Sequence, residues 1–134
     1  MPTLLAALSQ VPELKVALCH CGSPWDQSEA GLASWRKGLR QLAQLPNVVC
    51  KVSGLGMFNP NWKVAQLQPL VLDVIDIFSP ERVMFGSNFP VDKLYRSYEQ
   101  YWQAYSHIIA PFSPSERAAM LVDTAAGFYS IQLS

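Results

Sequence analysis

The sequence predicts an α/β fold made of repeated β/α units, and three observations support this. Residues 15–20, 48–53 and 82–87 are short, apolar and of strand length, and each run stops at or next to a glycine with polar neighbours. Between and after these runs, apolar residues recur at helical spacing. The polar tips carry His20, Ser53 and Asn88, and parallel-sheet proteins build their sites at the C-terminal ends of strands. Three such units are too few to close a barrel.

The elements follow in order. A short first helix is capped by Thr3, takes its apolar face from Leu4, Leu5 and Leu8, and ends by Pro12. A chain that opens with this stub and runs straight into a strand reads as the middle of a larger pattern. The loop 22–27 follows the first strand. Ser28 then caps a helix whose Leu32, Trp35, Leu39 and Leu42 share one face, until Pro46-Asn47 breaks it. After the second strand, the turn-rich stretch 54–61 leads to a strongly amphipathic helix carrying Leu67, Leu70, Val71, Val74, Ile75 and Phe78. Pro69 is expected in its first turn, where a missing N–H costs nothing, and Ser79-Pro80 stops it. Beyond the third strand, Ser97 and Gln100 have capping-box spacing ahead of Tyr98, Tyr101, Trp102, Tyr105, Ile108 and Ile109. Ser113 and Glu116 repeat that spacing with Pro114 at the first helical position, and the last helix is expected to bury Leu121, Val122, Ala125 and Phe128.

Composition narrows the function classes. The 134 residues are one domain's worth; half are apolar and only 15% are charged, against roughly 25% in soluble domains. That shortfall points to faces covered by a partner or by further sequence. Ten basic and ten acidic residues cancel, with no block of like charge, so no nucleic-acid or anionic-membrane footprint is expected. No apolar run approaches the roughly 18–20 residues that span a bilayer. Without a basic flank at the N-terminus, and with Cys19, Cys21 and Cys50 read as reduced and mostly buried thiols, a cytoplasmic location is expected.

Strand alternation groups Val16, Leu18 and His20 on one face, Val49, Lys51 and Ser53 on another, and Met84, Gly86 and Asn88 on a third. With parallel strands, His20, Ser53 and Asn88 converge at the rim with Lys51 one layer below. An imidazole, a hydroxyl and an amide around one pocket suit the orienting or polarising of a carbonyl substrate. Each residue also has a structural reading: His20 as a satisfied strand-end residue, Ser53-Gly54 as a turn, Asn88 as a turn former before Phe89-Pro90. Trp25, Met57, Phe58 and Trp62 sit in rim loops, where they line a ring-shaped substrate or cover the top; Trp35 and Trp102 are packing. Alternation separates His20 from Cys19 and Cys21, which argues against zinc chelation by that triplet.

Three strings, His20-Cys-Gly-Ser-Pro-Trp-Asp26, Pro46-Asn-Val-Val-Cys-Lys-Val-Ser-Gly-Leu-Gly-Met57 and Met84-Phe-Gly-Ser-Asn-Phe-Pro-Val-Asp92, come in an order and spacing with a family counterpart. Together they resemble the C-terminal part of the amidohydrolase-2 family, TIM-barrel metal-dependent hydrolases that include sugar lactonases. Thr124-Ala-Ala-Gly-Phe-Tyr129 is similar to the family's final helix. The resemblance implies a partial (β/α)8 barrel: three parallel strands, the last three of eight, with flanking helices, residues 1–134 being the C-terminal portion of the domain. It implies catalytic roles for His20 and Asn88, with Asp92 or Asp26 as carboxylates in reach. The rim residues Ser53, Lys51, Trp25, Met57 and Trp62 are the expected substrate wall, and the resemblance implies His20 as ligand to a divalent metal, zinc or manganese, where the protein uses one.

Two departures qualify the resemblance. The family's N-terminal His-x-His strand is not in this sequence. Asn88 stands where the family has an aspartate, and a neutral amide takes no proton. The expected function is hydrolysis of a lactone or related cyclic ester or amide, a small-molecule reaction, by a protein of which this chain is a part. The alternatives are a non-catalytic half-barrel needing a partner, either a second copy or a separate N-terminal half, and a small ligand-binding α/β module.

Overall fold

A computed structural model describes residues 1–133. Helix α1 (Pro2–Leu8) leads to strand β1 (Val16–Leu18); α2 (Glu29–Ala43) to β2 (Val48–Val52); α3 (Val64–Phe78) to β3 (Val83–Phe85). Helices α4 (Tyr98–Ile109), α5 (Pro114–Ala118) and α6 (Thr124–Tyr129) follow, the last two joined by a π-turn over Ala119–Asp123. The sheet is parallel in the order β1-β2-β3, so both crossovers run through a helix.

Register decides which face is core. Leu18 lies opposite Cys50, and Cys50 opposite Val83, so these residues point the same way. On that side Val48, Cys50, Val52 and Val83 are fully buried beneath α2 and α3, which contribute Leu39, Leu42, Val71, Val74 and Phe78. On the opposite side Ala17, Val49 and Lys51 are half covered, while Met84, in register with Lys51, is buried. Each leucine or phenylalanine buried in the seam contributes about 1.5–3 kcal/mol. Arg36 Nε also meets Asp73 Oδ2 at 2.7 Å across α2 and α3, but both groups are partly exposed. Such a pair gives at most about 1 kcal/mol, so packing and not charge holds the two helices together.

Backbone ends are tied by side chains. Arg82 donates to the carbonyls of Phe78 (3.1 Å) and Leu45 (3.2 Å), which anchors the start of β3 to the ends of α3 and α2. Asn47 donates to the Leu14 carbonyl at 2.8 Å, pinning the entry of β1 beside that of β2. The expected caps form: Ser28 accepts from Gly31, and Ser97/Gln100 and Ser113/Glu116 close reciprocal boxes.

Three local expectations need correcting. Met1, not Thr3, precedes the first helical residue of α1, because Pro2 is suited to that position, and the helix ends at Leu8. Pro69 lies in the second turn of α3, since the Lys63 N–H bonded to Gln66 Oε1 at 2.8 Å starts the helix earlier. The position is tolerated because Pro69 and Ala65 are both exposed, leaving the unbonded Ala65 carbonyl to water. In the last helical stretch the π-turn shifts the phase: Met120 is fully buried, while Leu121 and Val122 are exposed and Ala125 and Phe128 half-buried. Cys19 is exposed, whereas Cys21 and Cys50 are buried; all three are free thiols.

Leu39→Ala should cost about 2–5 kcal/mol in urea unfolding, whereas Leu94→Ala, at a highly exposed position, should stay within about 0.5 kcal/mol. Equal losses would mean that the α2–α3 seam is not the core.

Candidate active site

Because the strands are parallel, the loops after β1, β2 and β3 all emerge at one rim. His20 reaches that rim by a route alternation does not describe. Register places Leu18 on the helix-covered face, and simple alternation would send His20 there too. Instead β1 stops at Leu18, and His20 and Cys21 both adopt left-handed conformations (φ 54° each). This turn buries Cys21 and brings His20 over the second loop, where its Nδ1 lies 2.9 Å from Ser53 Oγ. The contact leaves Nε2 as the ring nitrogen available to the rim.

The second loop is built around that ring. Gly54 has φ +66°, and a Cβ there would fall 2.6 Å from His20 Nδ1 and 2.7 Å from the Met57 methyl. Only glycine combines this backbone with the close approach. Ser53 itself is buried at 2% exposure, so its hydroxyl serves the imidazole and not solvent.

The third loop folds back on itself. Asn88 is also left-handed (φ 56°), the peptide before Pro90 is cis, and the Asp92 N–H returns to the Asn88 carbonyl at 3.1 Å. Asn88 Nδ2 donates to Asp92 Oδ1 at 2.9 Å and lies 3.7 Å from Met57 Sδ, which joins the third loop to the second. Four left-handed non-glycine residues in the rim loops, His20, Cys21, Ser23 (φ 59°) and Asn88, represent backbone strain of the kind that gathers at functional sites.

Asp92 is fully buried behind Asn88. Burial pushes its carboxyl above the usual carboxylate range, while Asn88, the Tyr101 hydroxyl, His20 and the Gly56 N–H pull the other way. Tyr101 and Gly56 lie close enough to favour the charge, yet Oδ2 completes no hydrogen bond of ordinary geometry. Trp62 Nε1 donates to Tyr101 Oη at 3.2 Å, leaving the tyrosine proton free to face Asp92. Burial also raises the Tyr101 phenol well above its ordinary value, so it remains a neutral donor.

The other candidates separate. Trp25 is 67% exposed, edge-on to Phe58 at 4.6 Å, and remains a surface group at the rim. Met57 touches Asn88. Trp62 is 5% exposed and forms part of the wall beneath the rim, not its lining. Lys51 sits one layer down, its Nζ 5.7 Å from the centre of the Tyr129 ring. Asp26 accepts from the Ser28 N–H at 2.9 Å, a helix-entry role. Trp35 packs as expected, its indole N–H on the Cys21 carbonyl at 2.7 Å. Tyr101 and Gly56 were missed in the sequence, where one reads as helix packing and the other as a turn residue.

Among the described residues no group of three or more His, Cys, Asp or Glu side chains is placed to hold a metal ion. His20 alone does not meet the three protein ligands of a catalytic zinc centre, so no step is routed through a metal here. The clefts do not enclose the imidazole: one of about 620 Å³ lies against Tyr98 and Trp102, one of about 560 Å³ between Val49 and Phe128, and one of about 450 Å³ where the loop after β1, at Trp25, meets Trp35 and Gly38 of α2. The rim is marked by convergent chemistry, not by enclosure. No helix among the described residues is long and apolar enough to cross a membrane.

Three parallel strands with flanking helices, and an imidazole, a hydroxyl and an amide in the loops at their C-terminal ends, define the class of parallel α/β proteins. Within that class, the chain belongs to the amidohydrolase family, whose model matches residues 1–131. It is 44% identical over 131 residues to the uncharacterized protein y4mH of Sinorhizobium fredii, covering 98% of this chain and 44% of that protein. It is 34% identical over 128 residues to an L-fucono-1,5-lactonase of Burkholderia multivorans, covering 87% of this chain and 43% of the lactonase. A crystal structure of an amidohydrolase from Burkholderia multivorans with bound zinc superposes with a TM-score of 0.91 at 32% identity, over 98% of this chain and 49% of that one. The chain thus spans about half the length of the relatives it matches.

Gly54→Ala should lower stability by more than about 1 kcal/mol and displace the His20 ring signals in NMR spectra. Gly127→Ala, where a Cβ meets nothing within 4 Å, should be neutral or gain up to about 1 kcal/mol. The raised Asp92 carboxyl binds a proton more readily folded than unfolded. Its contribution is therefore full below the ordinary carboxyl range and lost as pH rises through the raised value. The deficit of Asp92→Asn relative to the parent should therefore shrink as pH rises from the ordinary carboxyl range through the raised value; a pH-independent difference would contradict the shift.

Proposed function

We propose that this chain is the C-terminal portion of an amidohydrolase barrel that hydrolyses a lactone of sugar type, its three strands corresponding to the last three of eight. The observation that carries the reading is the His20–Ser53 contact of 2.9 Å at the strand rim. It holds an imidazole with one nitrogen engaged and the other facing the place where family chemistry occurs. The lactonase relatives and the zinc-bound structural neighbour support the reaction class.

In this reading His20 polarises the lactone carbonyl through Nε2, and Ser53 fixes the ring by holding Nδ1. Water attacks the carbonyl carbon, and the ring ester oxygen leaves as an alcohol once protonated. Asn88 orients that water or a substrate hydroxyl but does not accept its proton, because an amide is no base near neutrality. The proton acceptor is supplied by the remainder of the barrel. Met57 and Trp25 line the substrate side, Lys51 lies deeper, and Asp92 and Trp62 stand behind Asn88. Where the complete protein holds a divalent ion, zinc or manganese, His20 Nε2 would be one of its ligands, and the ion would supply the polarisation in place of the imidazole N–H.

A second reading is a non-catalytic half-barrel that requires a partner, favoured by the half-covered sheet face bearing Ala17, Val49 and Lys51. Native mass spectrometry with a lactone-hydrolysis assay separates the two. The enzyme reading expects turnover of L-fucono-1,5-lactone or a related sugar lactone by the chain in its assembled form, reduced by about 10²-fold or more in His20→Ala. Defined assembly with no turnover across a panel of lactones and cyclic esters would favour the half-barrel.

A further inference from the structure

Beneath the rim, Asn88 makes its side-chain hydrogen bond to a buried carboxylate. We infer that Asp92 is a positioning residue: it holds the Asn88 amide with nitrogen inward and oxygen outward, so position 88 presents an acceptor to the rim. Such an acceptor suits a water molecule or a sugar hydroxyl. The catalytic part of this inference rests on the rim being the active site; the orientation itself does not.

The argument begins from donor and acceptor inventories. An ionised carboxylate only accepts hydrogen bonds, so the Asn88 atom 2.9 Å from Asp92 Oδ1 has to be the NH2 group. Asn88 Oδ1 then faces the other way; it has no partner within the described protein and is not among its buried unsatisfied atoms. Asp92 cannot turn toward substrate itself, being fully buried. It is held from behind by a chain of donors in which Trp62 Nε1 bonds Tyr101 Oη at 3.2 Å and Tyr101 faces the carboxylate. Gly56 makes room, since a Cβ there would lie 2.1 Å from Tyr101 Oη. Arg96 closes the far end, donating to the Trp62 carbonyl at 3.2 Å with its guanidinium 5.4 Å from the centre of the Trp62 ring.

The pairing also gives asparagine at 88 a physical reason. An aspartate there would set two carboxylates at hydrogen-bond distance in a buried site, which is tolerated only if they share a proton. The carboxylate and the amide are therefore a matched set, and exchanging them together should succeed where replacing one fails.

The test is a swap cycle in the 134-residue chain, in whichever assembly it purifies. At neutral pH, Asn88→Asp should lower the unfolding midpoint by about 5 °C or more, Asp92→Asn by much less, and the exchanged double variant should recover to within about 2 °C of the parent. A double variant no more stable than Asn88→Asp, or an Asn88→Asp variant as stable as the parent, would overturn the orientation. The functional arm uses L-fucono-1,5-lactone. Asp92→Ala should reduce kcat by about tenfold or more with KM within about twofold, and Asp92→Asn, which still offers an acceptor oxygen, should restore most of it. Equal kcat in Asp92→Ala and the parent would overturn the positioning role. Absence of turnover in the parent, with the stability coupling intact, would instead count against the hydrolase reading and the catalytic part that rests on it, leaving the orientation standing.

Discussion

Burial of one face of β2 is the constraint on which the rest depends. Val48, Cys50 and Val52 are fully covered by α2 and α3, and a central strand paired on both sides fixes the register of its neighbours. Slipping β2 by one residue would turn Lys51 into the apolar seam and bring Cys50 to the open face. The cost of burying an unpaired ammonium makes the observed register unique. Once it is set, the three loops must leave at one rim, and His20, Ser53 and Asn88 converge as a consequence.

The sheet's periodicity and its helix entries were legible in the sequence. Ser28, Ser97/Gln100 and Ser113/Glu116 act locally, through hydrogen bonds spanning three residues, so the chain itself carries the signal. The half-covered face bearing Val49 and Lys51 also agrees with a composition unusually poor in charge. What was not legible depends on contacts between distant segments. The phase of the final helix turns on a π-turn packed against β3, and the second-turn Pro69 is tolerated because that face of α3 meets water.

The candidate site shows the same division. The structure brings His20 onto Ser53 and ties Asn88 to Met57 and Asp92, but the reasoning assumed that His20 continues the alternation of β1. The left-handed pair His20 and Cys21 undoes that alternation, and the glycine that permits the imidazole to sit there, Gly54, is in another loop. Asp92 was seen as a carboxylate four residues from Asn88 that would matter if the loop folded back. Its burial, and the role of Tyr101 and Trp62 behind it, depend on α4 packing back over the third loop and on a contact between Trp62 and Tyr101, 39 residues apart, not on local pattern.

The shortness of the outer strands has a consequence for self-association. β1 and β3 contribute three residues each, so each free edge offers only a few unpaired backbone groups. Edge pairing of the kind that seeds fibrils gains with every added residue, and an edge this brief gains little. Any chain that completes the sheet must therefore be held mainly by side chains on the half-covered face and in the rim loops, with backbone pairing as a minor contribution. The same three-residue length that guards against indiscriminate stacking thus leaves side-chain fit as the main basis for any docking at these edges.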